Sequence, residues 1–501
     1  MKLKAIILPL LALALTSCST SSSFSSSLPE REIEKTNFND NINIYNNNSI
    51  YLTDTIPNKG TKALIIPVWF TDSNLYIKDK YQIANEINKV FFGSKSDVGW
   101  RSVKGYYEEE SHGNFILQGS VAPWYECRLS SQYVDSTAKT TALVKAAVNN
   151  FKNSVSEEEY RSYDTDKDGF IDAVALIYGA KHKQQASDNE NLWAYTFWVQ
   201  DLPGSMPVPN TYLWASYDFM YNDTRHCKLD AHTYIHEFGH MLGLEDYYDY
   251  NPKKGYEPAG QFSMQDYNVG GHEPYSTMAI GWTSPYIPKE SMRIKLKPFS
   301  ASGEFILLAN HNVISPFDEY MLLEFYTPTG LNELDSSYRY SNSYPIGPKK
   351  AGIRLWHVDA RLIAPYGIGR DGALYREKDI VNSVTIKGSY GLSQLLTNTS
   401  YSEDFAKDNS EYLSKLGGKY YDYRLLELIR NNDTSRKNKN NPLSENDLFT
   451  QGSHFAQGIY SSYFVNGEYM NDTLQGNKPL NWEFYVDEIN NDFATLSLIK
   501  I

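Results

Sequence analysis

The sequence predicts an α+β domain followed by a β-rich, sandwich-like domain. Its 501 residues are enough for two substantial domains. Strand-like and helix-like segments intermix up to about Pro288, as in an α+β domain. After Met292, short runs of alternating polarity dominate, which is typical of a β-sandwich. We therefore assign residues 61–290 to the first domain and residues 291–501 to the second.

The segments of the first domain follow from periodicity and from capping residues. Continuous apolar runs indicate buried strands, and alternation of apolar and polar residues indicates half-buried strands. Apolar residues spaced three to four positions apart indicate helices. Ser102 is a candidate helix cap. In chain order, we predict strand Ala63–Phe70, a helix from Ser102 through Tyr107 that stops near Gly113, strand Asn114–Gln118, helix Thr141–Phe151, strand Ala173–Tyr178 and helix Tyr234–Leu242.

The second domain consists of short alternating segments separated by Gly, Pro, Asn and Asp. The strand-like runs are Glu304–Leu308, Tyr320–Tyr326, Ile353–Val358 and Trp482–Ile499. The charged, Asn-rich segment Asn431–Asn446 is predicted to be an exposed loop.

The N-terminus is typical of a targeting segment. Lys2 and Lys4 precede the apolar run Ala5–Leu15, which is too short to span a bilayer as a permanent helix. The residues Leu15-Thr16-Ser17-Cys18 look like a bacterial lipobox, in which cleavage precedes Cys18 and the cysteine becomes lipidated. An ordinary secretory signal with an incidental cysteine is the alternative.

This interpretation divides the start of the chain into two parts. Residues 1–18 are predicted to be a lipoprotein signal peptide, and the Ser/Asn-rich residues 19–60 a tether or a short pro-segment. We expect an exported protein. In this interpretation, it is anchored by its N-terminal lipid to the membrane at the bacterial cell envelope or surface.

The charge and the cysteines restrict the partners and the compartment. The formal net charge of −13 becomes −15 when Lys2 and Lys4 leave with the signal. Such acidity argues against nucleic-acid binding and against electrostatic binding to anionic lipid. Cys127 and Cys227 then remain, either as a disulfide, which an exported compartment permits, or as two free thiols.

The segment from His236 to Asp246, HEFGHMLGLED, carries the strongest chemical signal. On a helix, His236 and His240 lie one turn apart on the same face and can bind one zinc ion. Glu237 lies beside them, where it can take a proton from metal-activated water. With the Gly and Asp included, chance produces this pattern in about one chain in tens of thousands, so a merely packed amphipathic helix is the weaker interpretation.

The residues after the two histidines supply a third ligand. Gly243 lacks the Cβ that resists positive φ, so the helix can end there in a left-handed turn. The chain can then return and bring Asp246 to the metal, with Glu245 and Asp249 as close alternatives. Three protein ligands and one open position are typical of a catalytic zinc.

The segment from Gln261 to Asn268 follows the zinc-binding helix at a suggestive distance. Met264 is a candidate for the apolar residue of a methionine turn beneath the metal. Tyr267 is a candidate hydrogen-bond donor to the oxyanion that forms when water attacks a carbonyl.

An Asp-rich loop is a candidate calcium site. Asp164, Asp166 and Asp168 occupy positions 1, 3 and 5 of a calcium-loop pattern, and Gly169 allows the sharp turn at position 6. The carbonyl of Phe170 and the carboxylate of Asp172 add further oxygens. Position 12 is Ala175 instead of the bidentate Glu of an EF-hand. We therefore expect a single structural Ca²⁺ that another residue or water completes, while an Asp-rich turn without metal is the alternative.

Several motifs together resemble the immune inhibitor A-like family of secreted bacterial zinc metallopeptidases. They are HEFGHMLGLEDYYD, FSMQDYN, EPYSTMAIGW, SVKGYYEEESHGNF, APWY, DTDKDGFID, EYMLLEFY, GIRLWHVD and DLFTQGSHF. The resemblance runs from about Ala63 to the C-terminus. It implies a zincin-like catalytic domain that acts on proteins outside the cell, with calcium as structural support. It assigns zinc ligation to His236, His240 and Asp246 and catalysis to Glu237.

We therefore expect a monomeric zinc endopeptidase that acts on protein or peptide substrates. The alternative from another class is a non-catalytic surface lipoprotein that binds host protein or glycan on a protease-like scaffold. Zinc content and chelator-sensitive proteolysis distinguish the two.

Overall fold

The structure of the chain is a computed structural model. It describes residues 28–33, 55–183, 192–199, 201–223, 225–249, 257–267, 269–313, 316, 318–340, 344–360, 398, 425–438, 440–464 and 480–501. The predicted signal peptide, Cys18 and most of the predicted tether lie outside the described residues.

The described residues contain nine α-helices and fifteen strands. The helices are α1 Lys80–Phe92, α2 Lys95–Val98, α3 Val103–Glu110, α4 Thr137–Lys152, α5 Glu157–Arg161, α6 His232–Met241, α7 Pro274–Ala279, α8 Phe299–Ser302 and α9 Glu333–Ser337. The strands are β1 Glu30–Arg31, β2 Lys59–Trp69, β3 Ile116–Val121, β4 Tyr125–Glu126, β5 Ala173–Tyr178, β6 Tyr195–Trp198, β7 Thr211–Ser216, β8 Met292–Leu296, β9 Phe305–Leu308, β10 Glu319–Tyr326, β11 Gly352–Asp359, β12 Leu426–Ile429, β13 His454–Phe455, β14 Trp482–Ile489 and β15 Ala494–Lys500. Short 3₁₀ turns occupy Ser73–Leu75, Ser131–Tyr133, Tyr217–Tyr221, Gly330–Asn332, Glu445–Asp447 and Ser461–Tyr463.

The first sheet, here sheet 1, has the strand order β3-β2-β5-β7-β6, and β4 extends it beside β2. Its first four strands are parallel, and β6 runs antiparallel at the edge. The predicted mixture of helices and strands is confirmed, although the parallel pairing was not predicted. Parallel strands need long crossovers, and the helices between the strands provide them.

Helices cover both faces of sheet 1. Side chains such as Ile65 and Leu213 point to one face, where they pack against α1, α3 and α6. Their neighbours Leu64 and Trp214 point to the other face and pack against α4 and α5. Because both faces are buried, the strands are almost continuously apolar instead of alternating. Helix α6, which carries the candidate metal ligands His236 and His240, is thus fixed to the sheet through its apolar side.

Helix starts follow the capping rules. Ser102 caps α3 by accepting a hydrogen bond from the Gly105 amide at 3.1 Å, as predicted. Helix α4 begins at Thr137, earlier than the predicted Thr141, because Ser136 caps it.

Two sheets, antiparallel except for the β1–β8 pair, contain all the strands that the structure describes after residue 291. Sheet 2 has the order β12-β11-β10-β9, and sheet 3 the order β1-β8-β15-β14-β13. Apolar side chains of both sheets, including Leu323 and Leu355 of sheet 2 and Phe484 and Leu496 of sheet 3, form one shared core. The two sheets therefore pack face to face.

Two details of this region differ from the predictions. The predicted run Trp482–Ile499 is a hairpin of two strands, β14 and β15, with a turn in which Asn490 donates its amide hydrogen to the Phe493 carbonyl. Strand β1, within the predicted tether, pairs in parallel with β8.

The outer face of sheet 2 packs against the segment that follows helix α6. Leu322 and Trp356 of sheet 2 belong to one buried cluster with Phe262, Tyr275 and Met278. This cluster places the candidate methionine turn between sheet 1 and sheet 2.

Two further observations concern membranes and thiols. Within the described ranges, no helix combines the length and the apolar character that crossing a bilayer requires. Cys127 and Cys227 are both free thiols, which selects one of the two alternatives that the sequence left open.

Candidate metal centre

Helix α6 presents two histidines to the same point. His236 and His240 lie one turn apart, with ring centroids 4.9 Å from each other and ring planes at 89°. The opposite side of the helix buries Ile235, Phe238 and Met241 in the core beneath sheet 1. The apolar stripe therefore fixes which face of the helix carries the imidazoles.

The chain after α6 returns towards these imidazoles. Gly243 has φ +93°, the left-handed conformation that the sequence predicted for the helix end. Asp246 Oδ1 then lies 3.1 Å from His236 Nε2 and 3.2 Å from His240 Nε2. These three residues form a group whose candidate ligand atoms all lie within 4.8 Å of one another. Neither alternative from the sequence, Glu245 or Asp249, belongs to that group.

Backbone carbonyls orient both imidazoles. His236 Nδ1 lies 2.8 Å from the Met264 carbonyl oxygen, and His240 Nδ1 lies 2.7 Å from that of Leu244. Since a carbonyl only accepts, each Nδ1 carries the hydrogen. When an imidazole is neutral, the lone pair of its Nε2 is therefore directed at the point shared with Asp246. Outer hydrogen bonds of this kind fix the tautomer and the ring orientation of metal ligands.

The electrostatics of the group favour a cation. Burial acts to raise the pKa of Asp246, but attraction to His240 and hydrogen bonds from both imidazoles hold it well below its usual range. Burial acts to lower the pKa of His240, whereas Asp246 raises it to about 10. In the metal-free chain, a proton on His240 thus occupies the place that a metal cation can take. The donor set of two imidazole nitrogens and a carboxylate oxygen matches zinc.

Glu237 is buried beside the two histidines. Burial raises the pKa of its carboxyl group, while attraction to His240 and His236 opposes that shift. Thr196 of strand β6 donates a hydrogen bond to the Glu237 carbonyl oxygen at 2.8 Å and also lies 3.3 Å from Glu237 Oε2. A buried carboxyl group with a raised pKa is suited to proton transfer near neutral pH.

Met264 contacts His236 directly, whereas Tyr267 is linked to it through the Tyr248 ring. The Met264 side chain is fully buried in the same core as α6, and its carbonyl orients His236. The Tyr267 ring lies 4.8 Å from that of Tyr248, which stacks at 6.5 Å on His236. Burial raises the pKa of Tyr267, so its hydroxyl stays protonated and can donate a hydrogen bond.

The Asp-rich loop brings together three of the four carboxylates that the sequence analysis named as candidate calcium ligands. Asp164, Asp166 and Asp172 offer ligand atoms that lie within 4.8 Å of one another. Asp168 is outside this group, and its Oδ1 accepts a hydrogen bond from the Phe170 amide at 2.8 Å. Asp172 is buried and accepts hydrogen bonds from the backbone amides of Lys62 and Thr165 at 2.8 Å each.

Charge in this loop is destabilised in the absence of a cation. Burial, together with the neighbouring carboxylates Asp166 and Asp164, raises the pKa of Asp168 to about 6. Burial likewise raises the pKa of Asp166, with Asp164 adding to the shift. A bound cation would offset this repulsion.

Residues that sequence analysis did not single out also contribute to the centre. Thr196, Leu244, Tyr248 and Gln265 contact the helix or its histidines. Leu244 and Tyr248 lie in the loop that follows the helix, whereas Thr196 and Gln265 come from distant segments that only the fold brings to the helix.

Comparisons with known proteins agree with this geometry. Residues 68–270 match the model of a protein family described as immune inhibitor A peptidase M6, catalytic domain. The matched segment includes α6, Asp246 and Met264. The resemblance drawn from the sequence motifs is therefore confirmed over these residues.

A structural comparison finds two crystal structures of OgpA from Akkermansia muciniphila. The wild-type protein has 10% sequence identity, 61% of this chain and 92% of that chain are covered, and the TM-score is 0.23. The catalytically inactive protein in complex with an O-glycopeptide (glycodrosocin) substrate has 9% identity, with 61% and 91% covered and a TM-score of 0.23. No curated protein sequence matches the chain.

Proposed function

We propose that this chain, whose residues 68–270 match the immune inhibitor A peptidase catalytic domain, is a zinc-dependent endopeptidase that cleaves proteins outside the cell. One observation carries the proposal: the Nε2 atoms of His236 and His240 converge on Asp246 Oδ1 at 3.1 and 3.2 Å. Glu237 lies next to this point on the same helix. Two nitrogens and one oxygen leave a coordination position for substrate or water.

His236, His240 and Asp246 would hold the zinc ion. A zinc ion bound there would supply Lewis acidity for the activation of water and the polarisation of the scissile carbonyl. Glu237 takes the proton from the attacking water and delivers it to the departing amine. The buried position of Glu237 raises its pKa, which suits a group that must both accept and release a proton.

Tyr267 and Met264 have supporting roles in this proposal. The protonated hydroxyl of Tyr267 donates to the oxyanion that develops on the scissile carbonyl. Met264 contributes its buried side chain to the floor of the centre and its carbonyl to the orientation of His236. If Tyr267 acts in this way, Tyr267→Phe lowers kcat and leaves zinc affinity unchanged, and an unchanged kcat would refute the role.

In this proposal, a peptide substrate binds in extended form along the edge strand β6. Among the described residues, β6 pairs only with β7, so its other edge has backbone groups available for a further strand. Thr196 of β6 contacts Glu237, so a peptide paired along β6 would run past the metal centre. A crystal structure with a peptide-like inhibitor tests this; an inhibitor bound away from β6 would contradict it.

The remaining parts of the proposal concern the termini and the second metal. The Asp-rich loop, with Asp164, Asp166 and Asp172, binds a structural Ca²⁺. Residues 291–501 form a β-rich domain on which the catalytic domain rests.

Cys18 carries the lipid that anchors the mature chain outside the cell. Mass spectrometry of the mature N-terminus tests this anchor, and an N-terminus without Cys18 would refute it.

The decisive experiment replaces the proposed base. Glu237→Gln keeps the size of the side chain but cannot accept the proton. We expect it to bind zinc normally and to lose about 10²- to 10⁴-fold in kcat on a protein substrate such as casein. Glu245→Gln is the matched control, because Glu245 is a nearby carboxyl group whose pKa burial also raises, yet it lies outside the ligand group.

The control should retain activity within a few-fold. Cleavage by Glu237→Gln at the wild-type rate would overturn the assigned base. A wild-type chain that binds a host protein or glycan, but neither contains zinc nor cleaves protein, would support the non-catalytic alternative instead.

A further inference from the structure

Gln265 is a buried residue of the candidate methionine turn. Its side chain forms a hydrogen bond with helix α6. Its Nε2 donates a hydrogen bond to the His236 carbonyl oxygen at 3.2 Å. The same nitrogen lies 3.4 Å from His240 Nδ1. Because that Nδ1 already donates to Leu244, the approach to His240 is a packing contact and the bond to His236 is the hydrogen bond.

Gly239 gives the Gln265 amide its place against α6. A Cβ at position 239 would lie 2.2 Å from Gln265 Oε1 and 2.7 Å from its Cδ. Any side chain at this position would therefore displace the amide. Glycine weakens a helix interior by about 1 kcal/mol relative to alanine, so close contact with Gln265 is the physical reason for its presence here.

His272 fixes the orientation of the amide from the other side. His272 Nε2 lies 3.3 Å from Gln265 Oε1. Burial lowers the pKa of His272 to about 3, so the ring is neutral. A neutral imidazole that faces a carbonyl oxygen carries its hydrogen on Nε2, which holds Oε1 towards His272 and directs the amide NH₂ to the helix. The His272 backbone amide is itself held by Glu110 Oε1 at 3.0 Å.

Gln265 also connects the helix to the third ligand. The backbone carbonyl oxygen of Gln265 accepts a hydrogen bond from the backbone amide of Tyr247 at 2.8 Å. Tyr247 directly follows Asp246 in the chain. Met264, the neighbour of Gln265, accepts the hydrogen bond from His236 Nδ1 at 2.8 Å. The Met264–Gln265 pair thus holds His236 by both its ring and its backbone and holds the chain beside Asp246.

We propose that Gln265 is a positioning residue of the metal centre: its side-chain amide, seated on Gly239 and held by His272, sets the position of α6 relative to Asp246 and thereby the zinc affinity. This inference rests on the proposed function only in taking zinc as the metal. Outer contacts of this kind are worth about 10- to 100-fold in metal affinity.

The test measures the zinc dissociation constant of the purified chain by competition with a chromophoric chelator. Gln265→Met keeps the length of the side chain and removes both polar ends. We expect its zinc binding to weaken about 10- to 100-fold and the visible spectrum of the Co²⁺-loaded chain to change. Gln457→Met is the matched control, since its Oε1 accepts a hydrogen bond from the Leu480 amide in the β-rich region, away from the centre.

A double-mutant cycle separates positioning from general destabilisation. Gly239→Ala alone should weaken zinc binding, because the new Cβ displaces the amide. In the Gln265→Ala background the clash is gone, so Gly239→Ala should have little further effect. Unchanged zinc affinity and Co²⁺ spectrum in folded Gln265→Met, or additive effects in the cycle, would overturn the proposal.

These results are distinguishable from a failure of the proposed function. A wild-type chain that binds zinc but cleaves no protein refutes the peptidase and leaves the role of Gln265 measurable. A wild-type chain that binds no zinc refutes both.

Discussion

At the scale of single residues, the charge of Asp246 determines how the centre competes for protons. In the metal-free chain Asp246 raises the pKa of His240 to about 10 even though burial opposes it. Zinc binds only the deprotonated imidazole, so binding at neutral pH must release this proton. The Asp246 carboxylate, which would attract a metal cation, therefore also attracts the competing proton.

Zinc affinity should consequently rise with pH. For one displaced proton, mass action gives about a tenfold gain in affinity per pH unit between pH 6 and 9. The rise should end near the pKa of His240. Chelator competition at a series of pH values measures this slope. An affinity that is constant over the same range would contradict the pairing of His240 with Asp246.

Some residues of the centre could be predicted from the sequence, and others could not. The spacing of His236, Glu237, His240 and Asp246 predicts their convergence, because helix geometry and one glycine turn determine it locally. Thr196 and Gln265 were not predicted. They lie 41 and 29 residues from their partners in α6, and only the packing of β6 and the methionine turn brings them there.

At the scale of elements, local signals placed some segments well and missed others. Strand β5 has the predicted bounds Ala173–Tyr178, because a short, uninterrupted apolar run indicates a buried strand and its ends indicate where the strand begins and ends. Helix α1 was not predicted, although Ile83, Ile87, Val90 and Phe91 have helical spacing and Asp79 caps its start. Edge strand β6 is only half-buried and four residues long, so its sequence carries little signal.

The Asp-rich loop gives a prediction at this scale. Ca²⁺ at a hundredfold excess over its dissociation constant should stabilise the fold by about 2.7 kcal/mol, seen as a rise in Tm of several degrees. The double variant Asp164→Asn and Asp166→Asn should lose this rise. Without Ca²⁺ it should not be less stable than wild type, because burial and mutual repulsion of the two carboxylates are relieved.

Calorimetry with and without Ca²⁺ makes the comparison. Asp135→Asn is the matched control, since Asp135 is an exposed acid paired with Lys139 at 2.7 Å. A Ca²⁺-dependent rise that survives in the double variant would refute the loop as the binding site.

At the scale of the whole molecule, sheet 2 holds the methionine turn in place. Arg354 of β11 donates a hydrogen bond to the Phe262 carbonyl oxygen at 3.2 Å. Its guanidinium also pairs with Glu324 of β10, with 2.7 Å between Nε and Oε1, and both side chains are almost fully buried. Sequence analysis did not predict this connection, because no local pattern shows which segment a buried arginine reaches.

Removing one member of this pair should be costly. Arg354→Leu leaves Glu324 buried without its partner and should lower the free energy of unfolding by about 3–5 kcal/mol. The double variant Arg354→Leu and Glu324→Leu should recover part of that loss, because no uncompensated charge remains. Denaturant unfolding measures both values. A loss below about 1 kcal/mol in the single variant, within the range of exposed ion pairs, would contradict the supporting role of sheet 2.

The most direct measurement for the whole account is anomalous diffraction at the zinc edge, from crystals of the chain purified without chelators. We predict one peak at about 2.0–2.1 Å from the Nε2 atoms of both His236 and His240, with Asp246 as the third protein ligand. Crystals of His240→Ala should lose it. Wild-type crystals without a peak between the two imidazoles would contradict the account.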